Sequence, residues 1–401
     1  MKKQPIKTNI LLLENIAQSA VDLLVEQGFH VETAAAISDE QLKEKLKNYH
    51  AVGIRSKTTL SKEILEEASK KLLCIGCFCI GTDRVDLPVA QKLGIPVFNS
   101  PYQNSRSVAE LIIANIISLG RHLGDRNMEV HKGIWNKTAK GCIEIRGKVL
   151  GIVGYGHIGS QLSVLAESVG MEVKFYDIED VMALGNSKRI RKLDELLAIA
   201  DFVTLHVPDT PQTKNMITER EIGLMKRGSF LLNASRGTVV DVEALAAALK
   251  SGHLGGAYVD VFPSEPNGHA KDFVSPLQGC PNTILSPHIG GSTTEAQEAI
   301  GREVASRFIA YLETGSTTGA VNFPNIALPY AVGTHRILNI HKNTPGVLKA
   351  INNILSVYNV ESQVLRTQGS IGYLIADVSA ETSSQIKTEI AALPTSIKTR
   401  T

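Results

Sequence analysis

Three stretches in the second half of the sequence place a charged or titratable residue where a β-strand is expected to end. They are NASRGTVVD with Arg236, DVFPSEP with Glu265 and SPHIGG with His288. The carboxyl ends of strands in an open α/β sheet lie along one edge, so we expect these side chains to converge. Arg236 could hold a substrate carboxylate by two hydrogen bonds, and His288 could exchange a proton near pH 7. Glu265 beside the ring would raise the pKa of His288 and orient it.

A glycine-rich turn precedes these stretches in VGYGHIGS, where Gly154, Gly156 and Gly159 follow a predicted strand and open a helix. The first glycine permits the tight turn, the second lets a pyrophosphate approach the backbone, and the third lets helix and strand pack closely. The helix N-terminus offers free N–H groups to the phosphates. Asp177 ends the next predicted strand. Its carboxylate could bind a ribose diol and would repel a 2′-phosphate, which predicts NAD rather than NADP.

The two signals together predict hydride transfer between an alcohol carbon and a nicotinamide, with His288 taking the hydroxyl proton. Each charged residue alone could be structural. Arg236 could form an ion pair, Glu265 could be a solvated loop residue, and His288 could cap a turn. Their occurrence in this order after a dinucleotide turn favours the catalytic interpretation.

The composition is that of an ordinary globular protein of two or three domains: 401 residues, 43% hydrophobic, 20% charged, with a net charge of +2. This balance gives no reason to expect nucleic-acid or membrane-surface binding. No apolar run reaches the ~20 residues of a membrane span. The apolar residues 10–13 are too few for a signal peptide, so we expect a first β-strand there and a cytoplasmic protein.

The cysteines are few and give no metal signal. Of five, three lie together in LLCIGCFCIG, as Cys74, Cys77 and Cys79. A metal site would need a second ligand pair or a His at ligand spacing, and neither lies nearby in the sequence. Because free Cys behaves as a small apolar residue, we predict a buried strand and no metal.

Strand and helix patterns alternate along most of the chain, which predicts two α/β blocks with parallel sheets. In the first block we expect strands at 10–13, 30–33, 51–55, 72–80 and 97–99, and helices at 18–27, 38–47 and 61–69, the last capped by Ser61. A long helix at 105–123 leads to strands at 149–153, 172–176, 202–205, 229–233, 256–261 and 283–285, closed by a helix at 294–313. Residues 314–329 read as a linker. A β-α-β-β-α-β pattern runs from residue 334 to the end, the order of a ferredoxin-like domain.

The motifs VGYGHIG, TLHVP, NASRGTVVD, DVFPSEP and SPHIGGSTTEAQ resemble those of the D-isomer-specific 2-hydroxyacid dehydrogenases, as do IRSKT, CIGTDRVDL, SVAELIIANII and HKGIWNK in the first half. The resemblance covers nearly the whole chain. It implies that Arg236, Glu265 and His288 are catalytic. It also implies cofactor contacts from the glycine turn with Tyr155, His157 and Ile158, from Asp177, from the strand-end loop His206, Val207 and Pro208, and from Ala234, Ser235, Arg236, Asp260, His288, Gly290 and Gly291.

The resemblance further implies substrate contacts from Arg55, Ser56, Lys57, Gly81, Asn104, Arg236 and Lys137, the last possibly from a neighbouring subunit. A phosphorylated hydroxy acid carries about three negative charges near pH 7, which these cations would match. One departure concerns Asp83, where an Asn is common in the family. Extra negative charge would be unhelpful beside a phosphate, so we expect this side chain to point away.

The fold that the resemblance implies has three parts. A discontinuous flavodoxin-like substrate domain covers residues 1–103 and 292–330, a Rossmann-type NAD domain covers 104–291, and an α+β ACT domain, a regulatory module of amino-acid biosynthetic enzymes, covers 334–401. In serine-sensitive relatives the positions of His341, Asn343 and Asn359 bind L-serine between two ACT domains. A module that serves only in dimerisation is the alternative for this domain.

The implied activity is the NAD-dependent oxidation of 3-phospho-D-glycerate to 3-phosphohydroxypyruvate, the first step of L-serine biosynthesis, in a feedback-inhibited homo-tetramer. Another D-2-hydroxyacid dehydrogenase, for example a 2-oxoglutarate reductase, is an alternative. A non-catalytic NAD(H)-sensing regulator is a third, which the presence of Arg236, Glu265 and His288 disfavours.

Overall fold

The computed structural model describes residues 8–35, 37–266, 270–331 and 333–401. The chain divides into two compact units. One joins Met1–Pro101 to Gln297–Thr401, and the other is Tyr102–Ala296. The segment before residue 8, where a signal peptide would begin, lies outside the described residues. The three-part domain division with boundaries near residues 103, 291 and 334 stays a prediction, since the first unit contains both the first α/β block and the C-terminal module.

The first unit begins with a parallel five-stranded sheet in the order β2-β1-β3-β4-β5. Its elements are β1 (Asn9–Leu13), α1 (Gln18–Glu26), β2 (His30–Ala34), α2 (Asp39–Leu46), β3 (Ala51–Ile54), α3 (Lys62–Ala68), β4 (Cys74–Cys77), α4 (Leu87–Lys92) and β5 (Val97–Asn99). The strand order reverses between β1 and β3, which is the point where open α/β sheets form a ligand crevice. The predicted flavodoxin-like order is therefore confirmed.

The burial and helix caps of this block follow its sequence patterns, with one local difference. Ile10 to Leu13 are almost fully buried, as a continuous apolar run covered on both sheet faces requires. Ser38 and Gln41 form a capping box at the start of α2. Ser61 stands at the N-cap of α3 as predicted, but its hydroxyl binds Glu63 rather than a backbone N–H.

The second unit holds a parallel seven-stranded sheet in the order β12-β11-β10-β9-β6-β7-β8. Its elements are α5 (Ser105–Gly120), α6 (Leu123–His131), β6 (Val149–Val153), α7 (His157–Ser168), β7 (Glu172–Tyr176), β8 (Lys188–Arg189), α8 (Leu193–Ile199), β9 (Phe202–Leu205), α9 (Glu219–Leu224), β10 (Phe230–Asn233), α10 (Val242–Lys250), β11 (Gly256–Val259) and β12 (Thr283–Leu285). The reversal between β6 and β9 confirms the predicted Rossmann-type topology.

The predicted single helix at 105–123 is wrong in its length. The structure ends α5 at Gly120 and begins α6 at Leu123, because His122 between them has a left-handed backbone with φ of +52°. A left-handed residue cannot continue a right-handed helix. Apolar periodicity alone could not reveal this break.

Helix α11 (Thr294–Thr314) leads to the predicted linker, which is packed rather than free. Within it, the Asn322 amide donates to the carbonyl of Ile95 and accepts from the backbone N–H of Val97. Thr317 is fully buried and donates to the carbonyl of Pro324. The composition of this segment therefore reflects tight turns against the first sheet.

The C-terminal module has the predicted β-α-β-β-α-β order: β13 (Thr334–Lys342), α12 (Val347–Leu355), β14 (Val360–Gln368), β15 (Ile371–Ser379), α13 (Ser383–Ala391) and β16 (Ser396–Arg400). Its antiparallel sheet runs β14-β15-β13-β16. Arg336 and Asp377 face each other on β13 and β15 as a buried ion pair with contacts of 2.7 Å. Arg336 also donates to the carbonyls of Thr314 and Leu328, so the pair joins the module to the end of α11.

None of the helices in the described part of the chain combines the length and apolar character that a bilayer crossing requires.

Candidate functional site

The glycine turn between β6 and α7 is built for close backbone approach. A Cβ on Gly154, whose φ is +90°, would lie 2.4 Å from the carbonyl oxygen of His206. A Cβ on Gly159 would lie 2.2 Å from the carbonyl oxygen of Gly154, so this glycine lets α7 pack on the turn. Gly156 differs, because nothing lies within 4 Å of the place its Cβ would take. Open space at the middle glycine fits a pyrophosphate at the helix N-terminus.

Asp177 lies at the end of β7, beside this turn. Its Oδ2 accepts from the backbone N–H of Tyr155 at 2.6 Å, and its Oδ1 accepts from that of Glu179 at 2.9 Å. The carboxylate is half-buried and keeps further lone pairs that a ribose diol could use. The position and chemistry fit an adenosine ribose without a 2′-phosphate.

The side chains of the glycine turn point in different directions. Tyr155 is buried, stacks on Phe175 with ring centroids 3.8 Å apart, and hydrogen-bonds Ser163 through its hydroxyl. It can contact a cofactor through backbone atoms only. His157 is exposed and stacks on Tyr102 at 3.6 Å, while Ile158 is half-buried.

His206 follows β9, across the topological switch point from the glycine turn. Its Nε2 lies 3.0 Å from the Thr204 hydroxyl. Its Nδ1 is buried and finds no partner among the residues that the structure describes. Burial lowers the pKa of His206 to about 3, so the ring is neutral and keeps an unused polar atom. An unpaired polar atom of this kind fits a ligand at the switch point. Val207 and Pro208 continue the loop outward.

The predicted catalytic pair is present in the structure. His288 Nδ1 lies 2.7 Å from Glu265 Oε2, and Glu265 Oε1 accepts from the backbone N–H of Phe262 at 2.9 Å. A carboxylate only accepts, so Nδ1 carries the hydrogen and Nε2 is the atom free to take a proton. The hydrogen bond to Glu265 raises the pKa of His288. Burial alone would raise the pKa of Glu265, but the hydrogen bonds from His288 and Phe262 outweigh it and hold that pKa below its ordinary value.

The loop that carries His288 is organised by Asp260 at the end of β11. Asp260 is almost fully buried, and its carboxylate accepts from the Ser286 hydroxyl and from the backbone N–H groups of Ile289 and Gly290 at 2.5–2.9 Å. His288 itself has φ of +54°, and its N–H donates to the Asp260 carbonyl. A left-handed His is uncommon and is held here by these bonds. The structure thus gives Asp260 a positioning role besides the predicted cofactor contact.

Arg236 joins this group through a close backbone contact. A Cβ on the next residue, Gly237, would lie 2.0 Å from the carbonyl carbon of Phe262, so only glycine lets the β10 loop touch the loop of Glu265. Asn233 fixes the turn by donating to the Arg236 carbonyl at 3.0 Å. The Nη1 atom of Arg236 donates to the carbonyl of Ser235 at 2.7 Å. The loop that carries Arg236 therefore touches the loop that carries Glu265, and Glu265 in turn binds His288.

The remaining predicted contacts of this unit lie around the same loops. Ser235 is buried and bonded to Asn233, and Ala234 is half-buried. The Oδ1 atom of Asn104 is buried without a partner in the described chain, and a Cβ on Gly291 would lie 2.5 Å from its Nδ2. Lys137 lies in an exposed loop after α6.

In the first unit, Arg55, Ser56 and Lys57 follow β3 at the other topological switch point. Glu14 holds their backbone by accepting from their N–H groups, a role that no sequence motif indicates. The only sequence signal was a carboxylate directly after the first strand in LLLEN.

Gly81 follows β4, and Asp83 does not point away from it. The Asp83 side chain is 81% exposed, and its Oδ1 lies 2.6 Å from the place of a Gly81 Cβ. The expectation that this carboxylate points away from the substrate phosphate stays a prediction.

The predicted effector residues differ in exposure. His341 is buried and its Nδ1 lies 2.9 Å from Asn339 Oδ1, and burial lowers its pKa. Asn343 is exposed and donates to the carbonyl of Gly369, while Asn359 is exposed and donates to Glu361. The helix that follows, α12, begins after Gly346 with φ of +90°.

The cysteines show no metal arrangement. Cys74 and Cys77 are buried, and burial raises the pKa of the half-buried Cys79 to about 11. Within the described ranges, no group of three or more His, Cys, Asp or Glu side chains could hold a metal ion.

The comparisons with known proteins agree with this geometry. Residues 113–290 match the family described as D-isomer specific 2-hydroxyacid dehydrogenase, NAD binding domain, and residues 337–398 match the AHAS small subunit-like ACT domain. The chain is 59% identical to the D-3-phosphoglycerate dehydrogenase of Dictyostelium discoideum, covering 98% of this chain and 97% of that protein. It is 50% identical to that of Escherichia coli K12, with coverage of 98% and 97%.

A solved structure also matches about three quarters of the chain. The NAD-dependent formate dehydrogenase from Staphylococcus aureus, determined in complex with NAD, is 26% identical with a TM-score of 0.64. The match covers 76% of this chain and 96% of that structure.

Proposed function

The chain belongs to the D-isomer-specific 2-hydroxyacid dehydrogenase family, and we propose that it catalyses the NAD-dependent oxidation of 3-phospho-D-glycerate to 3-phosphohydroxypyruvate. The observation that carries the proposal is identity of 50–59% over 98% of the chain to relatives named D-3-phosphoglycerate dehydrogenase. The hydrogen bond between Glu265 and His288 supports it. This reaction opens L-serine biosynthesis.

The chain's own residues supply positioning and proton transfer. When bound, NAD accepts the hydride from the hydroxyl-bearing carbon. His288 Nε2 takes the hydroxyl proton, and Glu265 holds the ring in the matching tautomer and stabilises the imidazolium that forms. Arg236 holds the substrate carboxylate and polarises the forming carbonyl.

The cations of the first unit suit the phosphate. Arg55 is half-buried and Lys57 is exposed, and both follow the strand at its switch point. The substrate carries about three negative charges near pH 7, so two side-chain cations here would offset the phosphate charge. Ser56, Gly81 and Asn104 complete the proposed substrate contacts.

The ACT domain gives the enzyme a place for a small effector, for which we propose L-serine. Asn343 and Asn359 are exposed and able to bind an amino acid. His341 is buried, and we propose that it contributes indirectly through its hydrogen bond with Asn339. We further propose a cytoplasmic homo-tetramer, with Lys137 reaching a neighbouring subunit.

An initial-rate panel tests the proposal. The purified enzyme is assayed with NAD(H) against 3-phosphoglycerate, D-glycerate, D-2-hydroxyglutarate, D-lactate and the corresponding oxo acids. We expect kcat/KM to be highest for the phosphorylated pair. Higher kcat/KM for 2-oxoglutarate would instead identify a 2-oxoglutarate reductase, and no turnover of any acid would identify a cofactor-sensing protein.

The same panel with L-serine present tests the effector. We expect serine to lower the rate, and Asn343→Ala to weaken that inhibition without changing the rate in its absence. D-serine is the matched control ligand. Unchanged rates with L-serine would leave the domain a structural module.

A further inference from the structure

One carboxylate holds four consecutive backbone N–H groups in the first unit. Glu14 Oε1 accepts from Arg55 at 3.2 Å and Thr58 at 2.8 Å, and its Oε2 accepts from Ser56 at 3.0 Å and Lys57 at 2.9 Å. These residues form the loop that follows β3, which we name the 55–58 loop. A single side chain more than 40 positions away in sequence therefore fixes its backbone.

This carboxylate is buried as an anion and is compensated by backbone dipoles. Glu14 is 7% exposed, and its two carboxylate oxygens accept from the four backbone N–H groups of the 55–58 loop. Burial alone would raise its pKa, but the N–H groups of Thr58, Lys57 and Arg55 outweigh this and hold the pKa below its ordinary value. The ionised form of Glu14 is thus favoured. Bonds of this kind to a charged acceptor are among the strongest in proteins.

The local backbone is strained to place the carboxylate there. Glu14 has φ of +63° and Asn15 has φ of +51°, both left-handed. Two adjacent residues of this kind cost free energy that surrounding contacts must offset, and such strain concentrates at functional sites. Glu14 thus combines a left-handed backbone, a buried side chain and four accepted hydrogen bonds.

The location is the ligand crevice of this sheet. β1 and β3 are the neighbours between which the strand order 2-1-3-4-5 reverses, and Glu14 and the 55–58 loop follow their carboxyl ends. In open α/β sheets, a ligand commonly uses free N–H groups at this point. Here an internal carboxylate occupies them.

We propose that Glu14 is a positioning residue for the substrate phosphate. It replaces an anionic ligand at the N–H groups of the 55–58 loop and thereby forces the loop to present the side chains of Arg55 and Lys57. The phosphate is then held by side-chain cations and not by the backbone N–H groups that Glu14 already satisfies. This inference rests on the proposed function for the identity of the phosphorylated substrate.

The alternative is that Glu14 only stabilises the fold. Replacement of Glu14 should lower the stability of the protein under either role, so a stability measurement alone cannot separate the two. A positioning role also predicts a selective loss of phosphate affinity and a dependence on Lys57. The two roles therefore differ in their kinetics.

The first measurement is amide hydrogen exchange in Glu14→Gln, which needs no substrate. Whichever way the amide turns, its NH2 group faces two N–H groups and cannot accept from them. We expect peptides covering residues 55–58 to exchange at least about tenfold faster, as the loss of charge-assisted bonds implies. Glu32→Gln is the matched control, because Glu32 lies on β2 of the same sheet and binds Lys45 and Tyr49 instead.

The second measurement is a kinetic cycle of Glu14→Gln, Lys57→Ala and the double variant. We expect each single change to raise KM for 3-phosphoglycerate by roughly tenfold or more, and to raise KM for D-glycerate much less. The double variant should raise KM by less than the product of the single effects, because Glu14 acts through the loop that carries Lys57. Glu32→Gln should match the unmodified enzyme.

Three outcomes separate the hypotheses. Independent, multiplicative effects in the double variant, or equal KM increases for both substrates, would overturn the positioning role. Faster exchange without any change in KM would do the same. If Glu14→Gln does not fold, Glu14→Asp keeps the charge with a shorter reach, and it enters the cycle in its place. No oxidation of 3-phosphoglycerate by the unmodified enzyme would refute the proposed function, whereas the exchange result would still test the loop.

Discussion

His288 Nδ1 and Glu265 Oε2 lie 2.7 Å apart, although the two residues come from different strand-end loops. Glu265 is anchored in turn by the backbone N–H of Phe262. The carboxylate therefore sets both the tautomer and the proton affinity of the imidazole.

Replacement of Glu265 should move the pH dependence of both reaction directions. Glu265 raises the pKa of His288, and oxidation requires the neutral ring, so oxidation by the unmodified enzyme rises with pH through that raised pKa. In Glu265→Gln the pKa of His288 falls. The pH at which the oxidation rate rises and the pH at which the oxo-acid reduction rate declines should therefore both be lower. kcat/KM profiles measure this. Glu110→Gln, which removes a surface partner of Arg106, is the control; profiles identical to its own would contradict the assignment.

His288→Asn should reduce kcat by roughly 10² or more while NADH affinity is kept. Asn is the preferred replacement because it tolerates the left-handed backbone at this position, where φ is +54°. Steady-state assays measure kcat, and a fluorescence titration measures the affinity for NADH. A kcat within threefold of the unmodified enzyme would remove His288 from proton transfer.

Asp177→Ala should lower the affinity for NAD and reduce the preference for NAD over NADP. The variant loses both the hydrogen-bond acceptor for the ribose and the charge that opposes a 2′-phosphate. Asp177→Asn keeps the shape and can keep one of the two bonds, that from the Tyr155 N–H, but it loses the charge and the bond from the Glu179 N–H. It should therefore relax cofactor preference with less loss of turn geometry than Asp177→Ala. KM values for both cofactors decide this. Asp180→Ala is a nearby control, since that exposed carboxylate pairs with Arg189. Unaltered cofactor preference in both Asp177 variants would exclude a ribose ligand here.

Asp83→Asn should lower KM for 3-phosphoglycerate by about two- to fivefold, the range that an exposed charge contributes. The carboxylate lies beside Gly81 and would repel the phosphate. The gain should shrink in high salt because exposed charges are screened. Asp22→Asn, at a surface site bonded to Gln18, serves as the control. An unchanged or higher KM at low salt would mean that the phosphate binds elsewhere.

Gly237→Ala should destabilise the protein by about 1–3 kcal/mol and lower kcat/KM, since the added methyl must displace the backbone of Phe262 and with it Arg236. Gly223→Ala is the matched control in helix α9, where nothing lies within 4 Å of the new methyl. It should stabilise slightly by its higher helix propensity. Denaturant unfolding and initial rates measure both. Equal behaviour of the two variants would show that the contact is not required.

Much of the fold and of the candidate site was predictable from local sequence signals. Strand–helix alternation predicted two parallel sheets, the C-terminal element order predicted a ferredoxin-like module, and the G-x-G-x-x-G turn predicted the dinucleotide site. Each signal is physical and short-ranged: side-chain periodicity, glycine at a turn, and charge directly after a strand. The meeting of Glu265 and His288 was predictable because parallel strands end along one edge.

The tertiary structure decided what depends on distant partners. The sequence marks Glu14 only as a residue after a strand, yet in the fold it holds the loop of Arg55 to Thr58. Arg336 and Asp377 form a buried pair only because β13 and β15 align in that register. The left-handed backbone of His288 likewise depends on bonds to Asp260. Such features arise when hydrogen bonds and packing offset local strain, and no short window of sequence contains both members of these contacts.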